Sequence, residues 1–179
     1  MVRTSKVYLI GLPGSGKTTL GKALATLLGY PFTDLDQVIV SQEGMSIPDL
    51  FQIRGEAAFR LAEQQAVRRM AMAEGNMVIA TGGGAPCFHD NMERMNATGT
   101  TLYIDVPVVE LIRRMEAGKE NRPLLTISGA ESLADRIKRL DEERRPRYSE
   151  AKLTIKGANL SAEDLLQLLD WSIEAGARG

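Results

Sequence analysis

The stretch Gly11-Leu12-Pro13-Gly14-Ser15-Gly16-Lys17-Thr18-Thr19 follows the apolar run Val7-Tyr8-Leu9-Ile10 and opens a segment with helical spacing. A strand that runs through a glycine-rich turn into a helix points several backbone N–H groups at one spot, where the helix dipole adds partial positive charge. In the pattern G-x-x-x-x-G-K-[ST], the lysine reaches the β- and γ-phosphate oxygens and the hydroxyl ligates Mg²⁺. Lys17 and Thr18 take those positions, and Gly14, Ser15, Gly16 and Thr19 complete the cradle. A chance glycine turn would have to fix four positions at a strand-to-helix handover, so a nucleoside triphosphate with Mg²⁺ is the expected ligand.

After this loop, Leu20, Ala23, Leu24, Leu27 and Leu28 recur at helical spacing and Gly29 supplies a left-handed stop. Short apolar runs at 78–80, 102–106 and 153–155 are separated by helix-length stretches at 56–74, 108–117 and 131–143. Ser161-Ala162-Glu163-Asp164 starts a last helix with Leu165, Leu168, Leu169 and Ile173 as its stripe. Alternating strands and helices predict an α/β fold, a parallel sheet covered on both faces. At 179 residues the chain fits one domain, residues 1–179. The polar, glycine-containing segment from Glu116 to Pro123 marks 117–130 as the candidate mobile flap.

Charge narrows the partners. The 22 basic and 23 acidic residues nearly cancel, which argues against a nucleic-acid surface and makes any arginine cluster a local device. One cysteine excludes an internal disulfide framework and fits a reducing compartment. The N-terminus lacks a signal-peptide core and no run approaches membrane-spanning length, so the expectation is a cytoplasmic protein that touches no membrane.

Phosphate loops serve kinases, switches, motors and transporters alike, so later segments must discriminate. A guanine-selecting Asn-Lys-x-Asp stretch is missing, and no apolar strand ends in Asp-Glu. Asp105 ends a strand but precedes Val106-Pro107 without a second acid, and reads as a structural residue. At Phe32-Thr33-Asp34-Leu35-Asp36, two carboxylates spaced i, i+2 at the end of a second strand are expected on one face. Near a triphosphate, one suits the Mg²⁺ water shell and the other the acceptor hydroxyl, although a solvated acidic turn has the same pattern. Gly82-Gly83-Gly84 reads equally as a tight loop or as a binding loop.

Taken in order, GLPGSGKTTLG at 11–21, FTDLDQVI at 32–39, GEAAFRLAE at 55–63, GGG at 82–84, Asn121-Arg122-Pro123-Leu124-Leu125 and Arg144-Arg145-Pro146-Arg147-Tyr148 resemble the shikimate kinases along nearly the whole chain. The resemblance implies a three-layer α/β/α fold with a five-stranded parallel sheet, a P-loop NTPase of the nucleoside monophosphate kinase type. It also implies a substrate-binding region at about 34–62 and a lid at about 117–130. The implied activity is ATP-dependent phosphorylation of the 3-hydroxyl of shikimate, a step toward chorismate and the aromatic amino acids. A monomer acting on small molecules is expected.

By that resemblance, Lys17 and Thr18 meet the phosphates and Mg²⁺, Asp34 faces the metal through water, and Asp36 meets the substrate hydroxyls. Arg60 and Arg144 clamp the shikimate carboxylate, Gly82, Gly83 and Gly84 offer backbone contacts, and Arg122 reaches the transferring phosphate from the lid. Arg114, just ahead of the flap, is a candidate to stack on adenine because guanidinium planes lie well on aromatic rings. An arginine fork suits a carboxylate because it gives two parallel charge-assisted bonds. Plainer roles stand beside these: Arg60 is spaced for a charge ladder with Glu56 and Glu63, Arg114 fits a charged helix face, and Arg145 and Arg147 compete with Arg144 for the clamp position. Cys87 reads as a partly buried thiol rather than a nucleophile, and His89 beside Asp90 as a surface helix-start residue. Gluconate kinase, a nucleotide kinase, or a nucleotide-dependent switch without turnover remain the alternatives.

Overall fold

The computed structural model describes residues 6–118 and 131–177, with the side chains of Trp171 and of 173–177 left out. Five strands form one parallel sheet in the order β2-β3-β1-β4-β5. They are β1 (Lys6–Ile10), β2 (Phe32–Asp34), β3 (Met77–Ala80), β4 (Thr100–Asp105) and β5 (Leu153–Lys156). Every residue of β1 is buried, as expected for a central strand covered on both faces. Tyr8 pairs with Ile79 on one side and Thr101 on the other. From β1 the chain moves out to β2, returns to lay β3 between them, then crosses to β4 and β5. Such a change of direction opens a crevice beyond the carboxyl ends of the strands, where open α/β sheets bind ligands.

The helices are α1 (Lys17–Leu28), α2 (Leu35–Glu43), α3 (Ile47–Met72), α4 (Asn91–Thr98), α5 (Val108–Ala117), α6 (Leu133–Tyr148) and α7 (Ala162–Ala177), with a 3₁₀ turn at Ala85–Cys87. Helix α1 packs with α7, and α3 packs with α2 and α4. The sheet with helices on both faces matches the expected three-layer class. Gly29 closes α1 in the left-handed conformation, φ 67°, its N–H reaching Ala25 and Thr26 carbonyls. Two helices were not visible in the periodicity, α2 and α4. Helix α3 is two segments: Gly55, at φ 79° and ψ 174°, breaks the helical path, and the second segment begins at Glu56, where the expected helix begins. Helix α6 runs on to Tyr148 with Pro146 inside its last turn, five residues past the expected end. Among the described residues no helix is long and apolar enough to cross a membrane.

Candidate active site

A cavity of about 1040 Å³ lies beyond the strand ends and draws on the phosphate loop, the β2–α2 junction, α3, the triple-glycine loop, α5 and α6. Its nucleotide end is made by one continuous segment. Gly14 and Gly16 sit at φ 81° and 90°, a region that glycine enters at little cost. No side chain caps the start of α1 at Gly16, so the first-turn N–H groups are left for an anion. The Lys17 ammonium, 8% exposed, donates to the carbonyls of Gly11 and Leu12 at 2.9 Å. Ser15 is buried, while Thr18 and Thr19 are exposed on the first turn.

Thr18 Oγ1 donates to Asp34 Oδ2 at 3.1 Å. The expected shared face of Asp34 and Asp36 has a different origin from two positions on one strand. Asp34 ends β2 and caps α2, its Oδ1 accepting from the Asp36 N–H at 3.0 Å, and Asp36 stands in the first helical turn. Both line the cavity. Burial raises the Asp36 carboxyl, Asp34 raises it further, and Lys17 pulls it back.

The acceptor end is assembled from separated elements around the triple glycine. A Cβ at Gly82 would lie 3.1 Å from Asp36 Oδ1 and 3.1 Å from Glu63 Oε1; one at Gly83 would lie 3.0 Å from Pro13 Cδ and 3.1 Å from Arg144 Nη1; one at Gly84 would lie 2.5 Å from Arg60 Nη1. None of the three has a positive φ, so the demand is for space rather than conformation. Side chains from the phosphate loop, α2, α3 and α6 thus close on the three glycines, leaving room for no side chain there without movement.

Arg60 joins the charge ladder read for it and also lines the cavity. Its guanidinium donates to Glu56 Oε1 and Glu63 Oε2, lies 3.9 Å from the Phe88 ring centroid, and lines the cavity with its side chain 12% exposed. A fork fixed on two carboxylates and an aromatic face loses little further freedom on meeting an anion. The three neighbouring arginines of α6 have different surroundings. Arg145 pairs with Asp105 at 3.1 Å and with Asp141, Arg147 pairs with Glu93 and Glu150, and Arg144 lines the cavity. Asp105 is therefore the strand-end structural residue that the sequence suggests.

Arg114 spans the nucleotide mouth, donating to Glu110 at 2.7 Å, to the Gly14 carbonyl at 3.3 Å and to the Ala158 carbonyl. It combines the charged helix face with a location beside the phosphate loop. Cys87 is partly buried, and burial pushes its thiol up, which disfavours a nucleophilic thiolate. His89, at φ 53°, precedes α4. Arg122 and the segment 119–130 lie outside the described residues.

Glu63 is the site residue that sequence reasoning missed. It is 1% exposed, and burial raises its carboxyl to about 7 against the pull of Arg60. Phe51 and Phe59, with ring centroids 4.5 Å apart, add an apolar wall that also went unread. Positions 59, 62, 63, 66 and 67 are all buried along α3, the i, i+3, i+4, i+7, i+8 stripe of a core-facing helix. An acid in such a stripe was the available signal.

A sequence model of the family described as shikimate kinase matches residues 13–172. The shikimate kinase of Parabacteroides distasonis is 44% identical over 158 residues, 88% of this chain and 91% of that protein. Among solved structures, the Bacteroides thetaiotaomicron shikimate kinase superposes with a TM-score of 0.84 at 39% identity, covering 96% of this chain and 98% of that one. The Acinetobacter baumannii shikimate kinase in complex with shikimate gives 0.83 at 34% identity, covering 97% and 95%. A gluconokinase from Sinorhizobium meliloti, at 0.58 and 16% identity, shares the fold alone. With the family model spanning most of its length and relatives above 40% identity over nearly all of it, the chain belongs to the shikimate kinase family.

Proposed function

We propose that this chain carries out its family's reaction, ATP-dependent phosphorylation of shikimate, at the 3-hydroxyl, with the nucleotide and acceptor ends of one cavity dividing the work. The observation that carries this reading is the convergence of Arg60, Arg144 and Asp36 on the triple glycine, with Pro13 of the phosphate loop against the same glycines. Two guanidinium groups suit a carboxylate, and a carboxylate beside them suits a hydroxyl.

In this reading, Lys17 and the first-turn N–H groups neutralise charge on the γ-phosphoryl oxygens while Asp36 orients the 3-hydroxyl for in-line attack and accepts its proton. The raised Asp36 carboxyl makes it a better proton acceptor than an ordinary aspartate. Arg60 and Arg144 hold the shikimate carboxylate at the far end, and Gly82, Gly83 and Gly84 line its face. Arg114 lies against adenine. Arg122, carried by the 117–130 lid, adds positive charge at the transferring phosphate and helps exclude water on closure.

The residues also suit Mg²⁺. Thr18 and Asp34 offer a hydroxyl and a carboxylate 3.1 Å apart. One or two protein oxygens, with phosphates and water completing the shell, is the usual magnesium arrangement. When bound, the ion supplies charge neutralisation at the β- and γ-phosphates. Near-neutral charge and a single cysteine support a cytoplasmic monomer without a nucleic-acid partner.

A coupled ADP-release assay tests the acceptor, with shikimate, shikimate methyl ester, gluconate and nucleoside monophosphates in parallel. Shikimate is expected to be used, the ester poorly, and the others at background. Equal use of acid and ester would remove the carboxylate clamp. Preference for gluconate or a nucleotide would replace the acceptor altogether, and nucleotide binding without turnover on any acceptor would favour a switch.

A further inference from the structure

Arg144 has to hold a mobile guanidinium in register with a glycine loop that belongs to a different part of the chain. The neighbouring side chains on α6 suggest how. Arg145 and Arg147 are turned away into ion pairs with Asp105 and with Glu93 and Glu150. Tyr148 closes the helix, is 0% exposed, and stacks on Tyr103 with ring centroids 5.1 Å apart. Its hydroxyl donates to the Gly83 carbonyl at 2.5 Å, and the Arg144 guanidinium lies close enough to lower its pKa. Gly83 is also where Pro13 of the phosphate loop and Arg144 Nη1 press on the missing side chain. The Tyr148 hydroxyl and the Arg144 guanidinium thus meet at one residue, Gly83.

We propose that Tyr148 is a positioning residue that locks the Arg144 guanidinium to the Gly83 loop, so that the carboxylate clamp and the acceptor floor keep one geometry. The proposal rests on Arg144 acting as a carboxylate clamp. A phenol suits the task because it donates and accepts through one oxygen while its ring anchors in the core. Desolvation raises its pKa well above the ordinary tyrosine value, so the hydroxyl stays a neutral donor at any working pH. Deleting it leaves the part-buried Gly83 carbonyl without this partner and lets the guanidinium choose other rotamers.

Tyr148→Phe keeps the ring on Tyr103 and removes one oxygen. The expected result is a KM for shikimate raised about 10-fold, an unchanged KM for ATP, and a kcat within about 3-fold of native. The effect is expected to disappear in an Arg144→Ala background, because residues acting as one unit are not additive. Thermal unfolding of each variant identifies any loss of folded protein, and shikimate binding by calorimetry on the folded fraction then replaces the kinetic readout. Equal rises in both KM values, full additivity with Arg144→Ala, or no change in either substrate would overturn the proposal. The ester control separates the two levels. If native enzyme uses acid and ester alike, the clamp itself is wrong; if native enzyme discriminates and Tyr148→Phe discriminates just as well, only the lock is wrong.

Discussion

The two ends of the cavity are built by opposite means. The nucleotide end uses one run, residues 11–19, in which backbone N–H groups, two left-handed glycines and a lysine held by its own loop's carbonyls present a ready positive surface. The acceptor end draws Asp36 from α2, Arg60 and Glu63 from α3, three glycines after β3, and Arg144 from α6. A phosphate is a common target that local backbone geometry can meet. A particular carboxylate and hydroxyl need side chains fixed relative to one another across the fold, which here costs a buried acid and three positions that tolerate no Cβ without movement.

Losing a group that bears on the γ-phosphoryl should hurt most. Lys17→Met is expected to lower kcat about 10³-fold, within the range for one lost transition-state donor. Shikimate affinity by calorimetry should change less than twofold, which keeps the effect on the nucleotide side of the contrast. Near-native turnover would show that the loop does not act on the transferring group. Asp36→Asn comes next, with kcat expected to fall about 10²-fold, as for loss of a general base, while ATP affinity is retained. Weakening of ATP binding by the same factor would move Asp36 into the nucleotide end.

These ends also differ in how much of them could be read in the chain. Residues 11–19 announce themselves because all the geometry is local: the strand before, the glycines within and the helix after are contiguous. Arg144, the one of the three that lines the cavity, was legible only from the spacing Arg144-x-Pro146-x-Tyr148, since nothing in the sequence says that Arg145 will find Asp105 forty residues away. Asp34 and Asp36 do share one cavity, but through a helix cap rather than the strand alternation that the i, i+2 spacing suggests. Glu63 enters the sequence reading only as a ladder partner of Arg60; its burial belongs to the core-facing stripe of α3, while its approach to Gly82 joins segments distant in the chain. Short α2 was hidden because only Leu35 and Ile39 along it are buried, too few for a clear stripe.

The glycine loop offers a milder break. Gly84→Ala would set a methyl 2.5 Å from Arg60 Nη1, and the guanidinium is a movable side-chain end, so the protein should fold with Arg60 displaced. A rise of about 10-fold in the KM for shikimate is expected, roughly 1.4 kcal/mol, with the KM for ATP unchanged. Gly82→Ala presses on Asp36 and Glu63 instead, and should lower kcat more than it raises that KM. Identical kinetic signatures for the two variants would mean that the three glycines do not serve separate partners.

Glu63→Gln should have the smallest effect on activity and the clearest one on stability. Glutamine keeps the shape and still accepts from Arg60, so the KM for shikimate is expected to rise only a few-fold. The carboxyl titrates at about 7 when folded, against an ordinary value of 4.5, so the folded protein binds this proton more tightly than the unfolded chain does. Its contribution is fully favourable below pH 4.5, declines as pH rises, and has become a full penalty above 7, roughly 3 kcal/mol from the 1.36 kcal/mol that each pKa unit represents. Glutamine cannot ionise. Variant and native protein should therefore have similar stability near pH 4, and the variant should gain steadily up to pH 8, measured as the difference in unfolding free energy in urea at each pH. Arg60 and Arg144 face Glu63 and pull its carboxyl down, while Asp36 pushes it up, so the same series in an Asp36→Asn background should show a smaller gain. A constant difference from pH 4 to 8 would mean that Glu63 is ionised without cost, and that the acceptor end needs no sacrifice of stability to hold Arg60.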